Sequence, residues 1–584
     1  MSGATHITFF GYFLGFFKGI WGNTSEYYPG TPVIEILGGP IIFQTIEFLW
    51  VPILLGIIGG ITLGRISFKI KGKWSKKVSQ LSIAIGMAFP IFFLGLLLQY
   101  NSIIGGETHS SLMLFFSRLP YRGFKSGIYA DPIFLTGFPI LDARFSGDVY
   151  LAIDRIEHLI LPIFTLTPVI IAFVAWQTRS TLERKQSEKS IVSLTMKTLM
   201  IFGFVFSFYI LTEELFNLRG IADIIRRAIL LEDVYLIMGT IFVILIILVV
   251  ITFISGIIYS FTQFLKTDRK EFIESNSPQL QSDEKKNLDE TEPGVIVKRG
   301  FKKYFKNLFK YPLFLLGLII IIGIIFCAIF AELLSGYTLA EARSFSAGSW
   351  EPPSPDHILG QSQYGFDVFA RILFGLHDVL LYGVQAVFFA LAGGLLFGLI
   401  SSIHRYFNRA LGLMLLTVTI IPILFLIFLA NNVIGSRILL IPSLQRIPFE
   451  SVTLISGFFL IPIFTRAITK VPLRKKNIIL SIKNIFIYLP LAFGIFILIY
   501  ESLAYLGISN IGYPTLANIA LGTEIRSASI FYFFIDAPWT VIWPGLFIFF
   551  MVFGFFILHF GLKNAFLEKS NSSSIDENLV KEKE

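Results

Sequence analysis

The 584-residue chain has one cysteine, Cys327, and it lies inside an apolar run. It allows no intrachain disulfide and no thiolate metal site. The sequence lacks G-x-x-x-x-G-K-[ST], so the chain has no P-loop of its own for ATP. It lacks H-E-x-x-H, its seven histidines are scattered, and no His, Asp and Glu cluster stands at ligand spacing. No Ser/His/Asp arrangement can be argued either. Catalytic, cofactor and metal residues are therefore assigned nowhere, and the chain is not read as an enzyme. Charged residues make up only 15%. A carboxylate deep in an apolar run would point to ion coupling, and none falls near a run's centre, which counts against a proton- or sodium-coupled carrier.

What is present is apolar. At 54% hydrophobic residues and a mean hydropathy of +0.73, a soluble chain of this length would expose surface that only lipid can cover. The fold class expected is all-α, a polytopic membrane protein. Runs long enough to cross about 30 Å of hydrocarbon fall near 45–64, 79–100, 158–178, 194–212 and 235–263, then near 313–335, 379–403, 410–431, 451–471, 478–500 and 539–562, about eleven in all. The formal charge of +9 is concentrated in short segments between these runs. Arg65 to Lys77, Arg179 to Lys189, Arg405 with Arg409, and Lys470 to Lys476 all fall on one side when the runs alternate. That is the positive-inside pattern, not a nucleic-acid stripe. It predicts a cytoplasmic C-terminus and an outside N-terminus, where no signal peptide is read.

The chain also repeats itself. Glu213-Glu-Leu-Phe-Asn-Leu-Arg-Gly-Ile221 is echoed by Glu501-Ser-Leu-Ala-Tyr-Leu-Gly-Ile508, each glutamate about 35 residues after an arginine, Arg179 or Arg466. Gly59-Gly-Ile-Thr-Leu-Gly-Arg-Ile-Ser67 is echoed by Gly393-Gly-Leu-Leu-Phe-Gly-Leu-Ile-Ser401. Two related halves are expected, 1–263 and 313–565. Between them, 264–312 reads as a cytoplasmic linker, disordered and then basic and aromatic over Lys298–Lys310, as befits an interfacial helix on anionic lipid. A disordered tail is expected over 566–584. Gly56, Gly60 and Gly64, with Gly394 and Gly398 in the second half, form small-residue faces for close helix packing. Glu213, Glu214 and Glu501 are placed at the outer ends of their runs, where water is available. They are either helix-end carboxylates or gate and turn elements. Outward segments near 101–157, 336–378 and 501–538 carry no periodic apolar run.

More specific strings follow. His357-Ile-Leu-Gly360-Gln-Ser-Gln-Tyr-Gly365-Phe-Asp367-Val-Phe-Ala-Arg371-Ile-Leu-Phe-Gly375 resembles the H-x-L-G-T-D-x-x-G-R-D-x-x-S-R-x-x-x-G signature of C-type permeases of oligopeptide, dipeptide and nickel ABC importers. Glu501 to Gly507 is similar to that family's E-x-x-L-x-F-L-G-L, and Ala537-Pro-Trp-Thr-Val-Ile-Trp-Pro544-Gly545 to its P-W-x-x-x-x-P-G. The first half resembles the B-type partner: His158-Leu-Ile-Leu-Pro162, Arg118-Leu-Pro-Tyr-Arg-Gly123, and Glu213 with Phe216 and Gly220. The resemblance covers nearly the whole chain and implies a natural B–C fusion.

It implies a peptide-type permease with a central pathway, an extracytoplasmic substrate-binding protein outside, and ABC ATPase subunits that hydrolyse ATP inside. The loops implied to dock the ATPases hold Arg179, Arg184 and Lys185, and Arg466, Arg474, Lys475 and Lys476. The outer gate and family motif hold Glu213, Gly220, His357, Gly360, Gly365, Asp367, Arg371, Glu501, Gly507, Pro544 and Gly545. There are departures. Gln361, Ser362 and Phe366 replace the family's T-D and R, Arg219 replaces a proline, and the B half lacks its usual first span. Both docking loops are shorter than the family's and lack its E-A-A…G coupling helix. Coupling requires a contact that differs between two conformations, so this loss leaves a second reading open: a degenerate permease serving as membrane scaffold or receptor.

Overall fold

The computed structural model describes residues 21–104, 115–183, 205–247, 308–403, 451–469, 478–507 and 519–581, apart from single positions and one pair within them, and isolated positions before residue 21. Among these residues the protein consists of helices and connecting loops, with two isolated β-bridges and no strand. We number the helices that matter here α1 (Pro40–Lys69), α2 (Lys73–Ala88), α3 (Ile91–Ile104), α4 (Pro139–Phe145), α5 (Val149–Glu183) and α6 (205–216). After them come α7 (Ile221–Leu230), α8 (Val234–Ile247), α9 (Pro312–Ile329), α10 (Val368–Ile403), α11 (Ser451–Thr469), α12 (Ile478–Tyr505), α13 (Leu521–Ile530) and α14 (Trp539–Lys581).

The protein is a polytopic membrane protein. Among the described residues six helices, α1, α5, α9, α10, α12 and α14, are long and apolar enough to span a bilayer. The run near 79–100 is not one straight span: α2 and α3 meet at a bend of 85°. Pro90 explains it, because proline lacks an amide hydrogen and drives the residue before it out of the helical region. Phe89 is extended, at φ −72° and ψ 116°. α8 and most of α11 are shorter apolar helices. The run near 410–431 and much of 194–212 lie outside the described residues, as do most of 264–312 and its expected interfacial helix. α14 runs on to Lys581, through most of the stretch for which the sequence predicts a disordered tail.

Small residues decide which helices pair. A Cβ on Gly56, Gly60 or Gly64 of α1 would stand 2.3, 2.5 or 2.7 Å from Ile170, Val174 or Thr178 of α5. The partners advance four residues for every four, as two interlocked i±4 ridges require. In the second half, Gly394 and Gly398 of α10 sit against Phe464 and Ile468 of α11 at 2.4 and 2.9 Å by the same measure. The glycine-lined pair α1–α5 is thus matched by the glycine-lined pair α10–α11. α9 precedes the matched series and lies on α14, where a Cβ on Gly561 would stand 2.4 Å from the Phe314 amide nitrogen.

Candidate functional site

Glu213 and Glu501 are not in water: they are 1% and 0% exposed. This corrects their expected placement, and the reason lies in the short helix that follows each. The first amides of a helix have no partner within it, and a carboxylate there satisfies them and opposes the positive end of the helix dipole. Glu213 accepts from the amides of Ala222 at 3.2 Å and Asp223 at 2.8 Å, in the first turn of α7. Glu501 accepts from the amide of Gly522 at 2.6 Å, in the first turn of α13. Both carboxylates therefore fasten a folded-back helix to a span end. Gly220 makes room for this, since a Cβ there would lie 2.9 Å from the Glu213 carboxylate and 2.5 Å from the Tyr209 hydroxyl. Tyr209 in turn donates to the Thr45 hydroxyl of α1 at 3.0 Å.

The string from His357 to Arg371 folds into a polar knot over the start of α10. Gly360 and Gly365 take φ of +78° and +75° there. Asp367 accepts from the Ala370 amide at 2.7 Å, capping α10, and pairs with His357 Nδ1 at 2.9 Å. His357 Nε2 meets Gln361 Nε2 at 2.8 Å, and Trp539 of α14 donates to the Gln361 carbonyl at 3.0 Å. Arg371, 1% exposed, lies 4.1 Å over the Phe366 ring and pairs with Glu524 of α13. Ser362, at the position of the aspartate in the signature that this string resembles, donates to Glu524 at 2.8 Å.

Between the halves runs a seam, with α2 and α3 on one side and α12 and α14 on the other. Its middle is aromatic. Phe92 stacks on Tyr505 at 4.9 Å and Phe89 meets Phe549 at 5.1 Å. Gly545, next to Pro544 in α14, lies against Phe93, where a Cβ would stand 2.3 Å from the ring. Both ends are polar. At one end Lys563 of α14 pairs with Glu183 of α5 at 2.7 Å and donates to Ser180 at 3.1 Å, while Gln80 and Asn564 exchange bonds of 3.0 and 2.8 Å. At the other end Arg526 of α13 stands 4.0 Å from Glu214 of α6, and Arg122 lies 4.3 Å over the Tyr532 ring. Gly507, at φ +83°, also borders this end.

Arg179 belongs inside, not on a docking surface. It is 2% exposed, donates to Glu183 at 2.8 Å and also to Ser67 of α1. Arg466 falls in the last turn of α11. Arg184, Lys185, Arg474, Lys475 and Lys476 lie outside the described residues. The sequence reading missed Gln80, Glu183, Lys563 and Asn564; polar residues at the ends of long apolar helices were the signal. It also passed over Arg226 and Arg526.

Residues 301–353 match the N-terminal transmembrane domain of oligopeptide transport permease C. The chain is 29% identical to the dipeptide transport system permease protein DppC of Alkalihalophilus pseudofirmus, over 47% of this chain and 91% of that protein. It is 30% identical to the probable D,D-dipeptide transport system permease protein DdpB of Escherichia coli, over 31% of this chain and 50% of that protein. To DppB of Alkalihalophilus pseudofirmus it is 28% identical, over 39% and 72%. These relatives are transport permeases, and none of the matches favours a non-transporting scaffold.

Proposed function

We infer that this chain, which belongs to the permease family of peptide-type ABC importers, carries its solute along the seam between its two halves. The solute is a peptide or a similar small molecule. The observation that carries the reading is the seam itself: an aromatic middle closed at each end by polar contacts between the halves. Alternating access requires these ends to open in turn. Parting of Glu183–Lys563 and Gln80–Asn564 would open one end, and parting of Glu214–Arg526 and Arg122–Tyr532 the other.

ATP hydrolysis falls to separate subunits, because the chain has no P-loop. The loops after Arg179 and Arg466 are the proposed docking points, with Arg184, Lys185, Arg474, Lys475 and Lys476. Arg179 holds Glu183 at the very start of one such loop, so a push on that loop acts directly on the Glu183–Lys563 contact. The Glu214 end faces outward in this reading and receives solute from an extracytoplasmic binding protein. The C-terminus is cytoplasmic and the N-terminus outside. Similarity to relatives of both the B and the C type supports a B–C fusion.

Gentle purification from the native membrane, with mass spectrometry of what co-purifies, should recover P-loop ATPases. Replacing Arg474, Lys475 and Lys476 together by alanine should abolish uptake of a labelled dipeptide at unchanged protein level. Unchanged uptake in that variant, or preparations free of any ATPase even after crosslinking, would refute the reading.

A further inference from the structure

The Glu214 end of the seam holds more cationic hydrogen-bonding capacity than its own carboxylates use. Arg226 of α7 places Nε 3.0 Å from Glu214 and donates to Asp223 at 3.1 Å. Arg526 of α13 donates to the Tyr505 carbonyl at 2.8 Å. Its 4.0 Å separation from Glu214 is too long for a hydrogen bond. Arg122, close by, is turned onto Tyr532. Each guanidinium carries five N–H donors, so the two arginines that converge on Glu214 offer more donors than Glu214, Asp223 and one carbonyl take up.

Two further observations point to a ligand. Glu214 is 23% exposed, Arg226 21% and Arg526 23%, so a solute can reach all three. The backbone is also cut away for Arg526: a Cβ on Gly507 would stand 2.9 Å from the centre of its guanidinium, and φ of +83° there disfavours any side chain. Burial pulls the Arg526 guanidinium below its ordinary pKa, with Glu214 opposing. That charge is poorly hydrated and would gain from a second acceptor.

We propose that Arg226 and Arg526 form a carboxylate-binding subsite, in which the free carboxylate of a peptide takes the place of Glu214 between the two guanidiniums. The proposal rests on the import reading above and adds what the pathway recognises. Glu214 is rooted in the first half and holds only Arg226 closely. A free carboxylate has no such tether and can offer one oxygen to an arginine of each half, each contact a charge-assisted hydrogen bond. Its binding draws the halves together at this end, so the solute itself biases the equilibrium between open and closed states.

The test uses the full chain in lipid nanodiscs, titrated with alanyl-alanine and with its C-terminal amide by calorimetry. The wild type should bind the acid about tenfold more tightly than the amide, or ~1.4 kcal/mol, the scale of one hydrogen bond to a charged group. Arg526→Gln should erase that preference and Arg526→Lys keep part of it. Glu214→Gln removes the internal competitor and should tighten the acid, a direction that misfolding does not produce. The proposal is overturned by equal binding of acid and amide, by a preference that survives Arg526→Gln, by weaker acid binding in Glu214→Gln, or by no saturable binding. Dipeptide uptake by cells is measured separately. A chain that prefers the acid yet imports nothing would remove the import reading and leave the subsite standing.

Discussion

Removing the Glu524 side chain should do more damage than any surface substitution, and the arrangement around Arg371 sets the scale. The Arg371 side chain is 1% exposed and that of Glu524 5%, so solvent screens the pair little. Breaking a buried pair from one side costs about 3–5 kcal/mol, against roughly 0–1 kcal/mol for an exposed pair. In Glu524→Ala the guanidinium keeps its place over Phe366 but loses its carboxylate, and Ser362 loses an acceptor. Arg371→Ala leaves the carboxylate with the Ser362 hydroxyl, a weaker partner. The double variant Arg371→Met/Glu524→Leu removes both charges at similar volume and should recover most of the loss, since apolar replacement of a buried pair is often neutral. Thermal unfolding of the detergent-solubilised chain, followed by fluorescence-detected size exclusion, ranks the four proteins. Unfolding under these conditions is irreversible for many large proteins, so the ranking is read at one fixed heating rate. If both single variants melt with the wild type, or if the double variant falls by the sum of the singles, the pair is not the coupled buried unit described here.

Three other outcomes follow from separate features. Gly60→Val and Gly394→Val each drive a side chain into a helix backbone-to-backbone contact and should cost about 1–3 kcal/mol, read as lost monodisperse yield; Gly60→Ala should be milder than valine. Glu501→Ala leaves the buried Gly522 amide without its acceptor, worth about 1–3 kcal/mol, and limited proteolysis should then cut near α13; a cut rate equal to wild type would show the cap to be dispensable. Asp142 is buried, which raises its pKa, but the amides of Thr136 and Gly137 and the Thr136 hydroxyl together hold it below the usual aspartate value. A carboxyl lowered by folding stabilises above its unfolded pKa, near 3.9, and the gain is lost as pH falls through the folded value. Amide hydrogen exchange over 136–146 should stay protected at pH 5 and rise only below about pH 4; protection lost already at pH 5 contradicts this.

The membrane class and the helical, polytopic fold were legible because lipid leaves a long compositional mark. The 85° bend was less so: Pro90 is visible in the sequence, but a proline within an apolar run is also compatible with a continuous kinked span. Glu213 and Glu501 show most clearly where reading along the chain stops. Their recurrence drew attention to them, yet the amides they accept from lie nine to 21 residues further on, beyond a segment whose return path the sequence does not state. Burial depends on that return. Arg179 misled in the same way, because a basic residue at the end of an apolar run is the usual sign of a cytoplasmic edge, and only the folded chain reveals Ser67 and Glu183 around it. The inter-half contacts were least legible, since each joins residues hundreds of positions apart, such as Gln80 and Asn564.

That last property has an evolutionary consequence. The seam is a lock whose two faces are inherited in a single reading frame. A change at Phe89 and its compensating change at Phe549, or at Glu183 and Lys563, always travel together and never have to be matched between two genes. The faces can therefore drift far from any relative's while staying fitted to each other. A half borrowed from a relative should then fail against this chain's other half even where the helices themselves superpose, because what has been kept private is the fit.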